Sequence, residues 1–109
     1  MASKRDFKKA IHRACGSIVD ECIFAEQMFG GDTHKWEQVV IRTAIMQQSA
    51  LKQLAATFGK KVKEFPSKRD YRKARRQFTH NTVSGIEAYL RGEVEAIAAD
   101  MNALMPKKA

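Results

Sequence analysis

Apolar residues recur along this chain at spacings of three and four, the period of a helix face and not of a strand. Phe7, Ile11, Ala14, Ile18, Cys22, Ala25 and Phe29 form the first stripe. Val19 and Ile23 widen it, as the inner face of a bundle helix requires. Ser3, followed by Lys4-Arg5-Asp6, marks the start, with Ser3 as N-cap and Asp6 placed to reach back. Gly30-Gly31 marks the end, because glycine takes the left-handed cap conformation at little cost. The pattern predicts a helix over residues 4–29.

The second stripe is Trp36, Val40, Thr43, Met46, Ala50, Leu54 and Phe58, with Val39 and Leu51 beside it. Asp32 or Thr33 supplies the cap. The small residues Ala44, Ala50, Ala55 and Ala56 allow a neighbouring helix to approach closely. Gly59 is the stop signal, and Lys60 and Lys61 suit the negative end of the helix dipole. A helix over residues 33–58 is expected, about as long as the first, at about 39 Å each.

Phe65 precedes Pro66 and is biased away from helix. Ser67-Lys68-Arg69-Asp70 then repeats the opening signal. Residues 3–10 and 67–74 read SKRDFKKA and SKRDYRKA, identical at six of eight positions. Convergence on a well-capped basic helix start and a trace of duplication both account for this. The third stripe is Tyr71, Phe78, Thr82, Ile86, Leu90, Val94, Ile97, Met101 and Leu104. Gly85 and Gly92 lie within it, each costing about 1 kcal/mol relative to alanine. The apolar phase runs on through Gly92. One long helix over residues 67–105 is therefore expected, with a bend or break at Gly92, giving a short fourth helix, as the alternative. No alternating strand pattern occurs. The fold class is all-α: a single domain over residues 1–109, built as an up-down-up three-helix bundle with a long third helix.

Charge changes this picture from a plain bundle to a polarised one. The chain of 109 residues carries a formal net charge of +8. Residues 60–76 alone carry +7 and residues 1–16 carry +4, while residues 17–59 carry −2 and residues 77–106 carry −3. An up-down-up bundle brings the start of the first helix, the end of the second and the start of the third to one pole. Lys and Arg in a first turn oppose the helix dipole, at about 0.3–1 kcal/mol per close charge, and they repel one another. Such an arrangement fits a functional surface, although a charge run also serves as a solvated face. The functional reading is a pole that contacts a polyanion, most simply a nucleic-acid backbone without sequence specificity. The candidate contacts are Lys4, Arg5 and Lys8 from the first helix, Lys60, Lys61 and Lys63 from the connection, and Lys68, Arg69, Arg72, Lys73, Arg75 and Arg76 from the third helix. Arginines can make bidentate phosphate contacts, and lysines act as point charges. Tyr71 and Phe7 are expected in the core by their phase, which leaves no exposed aromatic stripe for stacking single-stranded bases.

The competing reading is a homodimeric or partner-binding helical adaptor. A third helix of about 58 Å would overhang its neighbours. The overhang would expose Ile97, Met101, Leu104 and Met105, and an apolar stripe left in water usually marks an interface.

Catalytic chemistry finds no pattern here. His12, His34 and His80 lack Glu-x-x-His spacing, and there is no H-E-x-x-H, P-loop or Rossmann glycine pattern. Ser17, Ser49 and Ser84 sit in no nucleophile motif. His12 and His80 fall near the basic pole, as surface histidines, phosphate contacts or a loose pair around an ion. Cys15 and Cys22 are about 10 Å apart along a helix, too far to bridge each other, and match no zinc spacing. They are expected to be buried structural thiols. Asp20, Glu21 and Glu26 are expected to pair with Arg42 or Lys52. No enzyme activity, cofactor or metal is implied. No apolar run reaches the roughly 18 residues of a membrane span, and the basic segment lacks the apolar face of an interfacial helix. The N-terminal charges are followed by no signal-peptide core. A cytoplasmic location is expected.

Ser3-Lys4-Arg5-Asp6-Phe7-Lys8-Lys9, with Asp20-Glu21-Cys22 further along, resembles a family of small uncharacterised all-helical bacterial proteins. These open with a basic, aromatic K-R-x-F-K-K signature and carry an acid–cysteine pair downstream. The resemblance covers the first helix and implies a helical bundle. It brings no activity with it. The long third helix exceeds the family's pattern.

Overall fold

A computed structural model describes residues 4–106. Three helices account for most of them: α1 (Lys4–Phe29), α2 (Thr33–Leu54) and α3 (Lys68–Leu104), with a single 3-10 turn, Val62–Glu64, in the α2–α3 connection. There is no strand among the described residues. The helices run up, down and up, with α2 packed along both α1 and α3. The result is a rod of 66 × 20 × 20 Å.

The caps follow the local chemistry of the sequence. Asp32 caps α2, its Oδ1 accepting from the His34 N–H at 3.0 Å and the Lys35 N–H at 3.4 Å. Ser67 caps α3, its Oγ accepting from the Asp70 N–H at 3.2 Å. The expected cap of α1, Ser3, lies outside the described residues. Gly30 and Gly31 both have positive φ, the backbone conformation that makes the α1–α2 turn and that side-chain-bearing residues rarely adopt.

The core takes the inner stripe of each helix. Ile11, Cys15, Cys22 and Ala25 of α1 meet Trp36, Val39, Met46, Ala50 and Leu54 of α2 and Ile86 and Ile97 of α3. Thr43 is fully buried among them, its hydroxyl donating to the Val39 carbonyl at 2.9 Å. Ala14, Ile23, Phe29 and Val94, expected on inner faces, are exposed instead. Phe29 is the last residue of its helix, beyond which nothing continues the packing.

α3 is continuous through Gly85 and Gly92. A Cβ added at either would meet no atom within 4 Å, so neither glycine answers a close approach. The helix holds because its apolar phase is unbroken on both sides of them.

Two expectations are corrected. The second helix ends at Leu54, before the expected Phe58. Phe58 turns away to join Phe65, Tyr71 and Phe78 in a ring cluster with centroid separations of 5.5 to 6.0 Å. One more helical turn through Ala55, Ala56 and Thr57 gains little, whereas each aromatic pair adds about 0.5–1.5 kcal/mol beyond its buried area.

The second correction concerns the overhang of α3, which is at its N-terminal end. Lys4 lies beside Phe78 and Thr79, so the first turns of α3 project past it. At the other end, the Leu104 carbonyl reaches the α1–α2 turn at Gly31. Ile97 is therefore core, 1% exposed, and Met101, Leu104 and Met105 are half-buried against the core rather than displayed as a free stripe.

Candidate functional site

The up-down-up course brings the basic segments together at one pole. Lys4, Arg5 and Lys8 occupy the first turns of α1, Lys60, Lys61 and Lys63 the connection, and Lys68, Arg69, Arg72, Lys73, Arg75 and Arg76 the first turns of α3. All twelve are exposed. Among the described residues, none of them forms an ion pair with a carboxylate.

Three clefts indent this pole. The first, of about 420 Å³, lies between the α2–α3 connection and α3 and is lined by the cations Lys4, Lys60 and Arg75 together with the rings of Phe58, Tyr71 and Phe78. A second, of about 460 Å³, has Lys4, Arg5 and Lys8 over Leu51, Leu54 and Ala55. A third, of about 230 Å³, has Arg72, Arg75 and Arg76 around Tyr71 and Thr79. Lys4 and Arg75 thus each serve two clefts, and they join the α1 and α3 clusters into one surface.

Local contacts fix the backbone under these charges. Lys4 Nζ donates to the Ala56 carbonyl at 3.1 Å, placing a positive charge at the negative end of α2. The Lys61 N–H donates to Glu64 Oε2 at 2.7 Å, so this acid within the basic segment is engaged with the backbone of its own turn. Gly59, at φ 72°, lets the chain double back between Phe58 and Lys60.

The aromatic cluster was not legible in the sequence as a site. Tyr71 was expected in the core by its phase with Phe78. Both rings are half-buried at the pole, with Phe58 and Phe65 packed on them, and all four keep part of their surface open. Phe7, the counterpart of Tyr71 in the repeated segment, does pack against the core.

Elsewhere, Arg42 pairs with Glu93 at 3.2 Å and Asp100 at 3.2 Å, both on α3, and not with Asp20, Glu21 or Glu26. It links α2 to α3 outside the core. Cys15 and Cys22 are free and buried, as expected. Burial pushes both thiols up from their ordinary range, and the neighbouring Glu21 carboxylate adds to the rise at Cys22. His12, His34 and His80 are exposed, and no group of three or more His, Cys, Asp or Glu among the described residues could hold a metal ion. No helix is long and apolar enough to cross a membrane. Phe24, Met28, Ile41 and Ile45, which fall outside the stripes read from sequence, are exposed on α1 and α2 together with Ile23 and Phe29, with Phe24 at 61% and Met28 at 62%.

No family model, curated protein or solved structure matches the chain. The likeness of the first helix to small bacterial helical proteins therefore rests on its residues alone.

Proposed function

We propose that this is a non-enzymatic binding protein whose basic pole contacts the phosphate backbone of a nucleic acid without reading its sequence. One observation carries the reading. Twelve exposed Lys and Arg side chains from three separate segments occupy one pole, with no carboxylate paired to any of them among the described residues. Such a cluster repels itself. Lys68 and Arg69 sit in the first turn of α3, and Lys4 and Arg5 in that of α1, against the helix dipole. A phosphate backbone relieves both penalties, and it releases condensed counterions on binding. Arg69, Arg72, Arg75 and Arg76 supply planar, bidentate donors for phosphate oxygens. The test is fluorescence anisotropy with labelled nucleic acid across a salt series, comparing the wild type with the Arg69, Arg72, Arg75 and Arg76 to Gln variant. Affinity should fall in the variant, and the log–log salt slope should shrink by roughly three. Unchanged binding by a folded variant removes the proposal.

A second reading, the helical adaptor or homodimer, moves to a new surface. Ile97 is buried, whereas Phe24 and Met28, four apart on α1, and Ile41 and Ile45, four apart on α2, are exposed. Solution mass at high concentration decides it: a monomer ends this reading, and a dimer broken by Phe24→Ser places the contact there.

A further inference from the structure

We infer that the nucleic acid at the basic pole is single-stranded, with one nucleotide lodged in the cleft between the α2–α3 connection and α3. This inference rests on the reading of the pole as a nucleic-acid surface and names the form of the ligand. The first reason is the chemistry of the cleft. Lys4, Lys60 and Arg75 line it side by side with the half-buried rings of Phe58, Tyr71 and Phe78. A backbone-only surface has no use for apolar rings among its lysines, whereas unstacked bases do, because every base has a π-face to lay on an aromatic side chain.

The second reason is ring geometry. Phe58 stacks on Phe65 at 23°, but it meets Tyr71 at 59° and Phe78 at 49°, and Phe65 meets Tyr71 at 71°. A tilted contact lays the edge of one ring on a face of the other, so the three tilted contacts occupy fewer ring faces than parallel stacks would. The third reason is size. A volume of about 420 Å³ falls in the range of about 300–1,000 Å³ typical of pockets for small molecules. One nucleotide suits that space. A duplex keeps its bases stacked inside and would have to flip one out to use it. The fourth reason is polarity. Thr57 and Thr79 line the same cleft, and their hydroxyl groups are of the kind that can bond base edges or sugar. The Lys4 ammonium group on the Ala56 carbonyl covers the negative end of α2 that would otherwise face the phosphate.

The test compares fluorescein-labelled dT12 with a labelled 12-base-pair duplex, at one salt concentration, by anisotropy. The single strand should bind at least about fivefold tighter although the duplex carries more charge, a margin at the low end of one base–aromatic contact. Tyr71→Leu should bring single-strand affinity down toward the duplex value. Because loss of the ring can also loosen the pole, circular dichroism accompanies that variant, and the wild type supplies an independent readout. Ultraviolet crosslinking of a dT12 carrying 5-iodouracil should place the adduct within residues 57–79. Duplex binding as tight as single-strand binding, or adducts only outside that segment, overturns this inference while leaving the backbone-binding function standing. Binding of neither probe, even at low salt, overturns both.

Discussion

The two ends of the rod are built to opposite specifications. At the end where α1 turns into α2, polar groups are matched and the large indole is buried, although Phe24 and Phe29 stay exposed. Trp36 is 1% exposed, and its indole N–H donates to the Gly30 carbonyl at 3.1 Å. Asp32 caps α2, and the C-terminus of α3 closes over the turn. At the other end the rings of Phe58, Phe65, Tyr71 and Phe78 are only half-buried, and cations that form no ion pair among the described residues surround them. The first end holds the fold together. The second gives up local stability, through like charges gathered around half-buried rings, in return for a surface that can bind.

That contrast is sharpest in mutations that remove one large ring. Trp36→Ala should cost about 3–5 kcal/mol, the usual loss for a buried aromatic. For a small domain this is a large share of a total of about 5–15 kcal/mol. Urea unfolding should show it as a fall in midpoint at unchanged slope. Phe65→Ala, at the open end, should cost well under half as much in the same experiment. Equal losses would mean that both ends stabilise the fold alike.

Charge removal should act the other way round. Replacing Arg69, Arg72, Arg75 and Arg76 with Gln should leave the melting temperature unchanged or raise it, because it relieves repulsion and the dipole conflict of Arg69. A marked drop in melting temperature at low salt would show that these arginines serve the fold.

A smaller effect is expected at Gly85 and Gly92, in the middle of α3 and away from both ends. Each changed to Ala should stabilise by about 0.5–1 kcal/mol, since a Cβ there meets nothing within 4 Å and glycine is a poor helix former. Destabilisation at Gly92 would mean that α3 needs a flexible point there.

The smallest effect concerns Cys15 and Cys22. Burial raises both thiols in the folded chain. The unfolded chain ionises first as pH rises through the ordinary thiol range of about 8.5. The contribution of these groups to stability is therefore whole below that range and is lost as pH climbs from it toward the raised folded values. Native alkylation at pH 8 should be slow, with both cysteines reacting on unfolding. Fast native labelling of either would place it at a surface.

The outline of the fold was legible because it depends on local rules. Helix period, the caps at Asp32 and Ser67, and the Gly30-Gly31 turn each follow from residues within a few positions of one another. The buried thiols followed from periodicity too. The convergence of the basic segments followed from helix count and short connections. Where reading failed, a distant contact had overruled a local pattern. Phe58 continues the α2 stripe in phase, yet Phe65, Tyr71 and Phe78 draw it out of the helix. Arg42 was matched with the acids of the preceding helix, α1, yet its partners are Glu93 and Asp100 on α3.

By itself, then, the sequence determined the number of helices, the caps of α2 and α3, most of the inner faces and the gathering of charge at one pole. All of these arise from spacing along a single segment or from its net charge. Only the tertiary structure decided the register of α3 against its neighbours. Apolar residues line α3 along nearly its whole length, so its sequence permits an overhang at either end. Packing of Ile86 and Ile97 into the shared core, with Leu104 against the α1–α2 turn, selects the N-terminal one. That register buries the residues that had looked like an interface, and it sets four aromatic rings among the lysines and arginines instead.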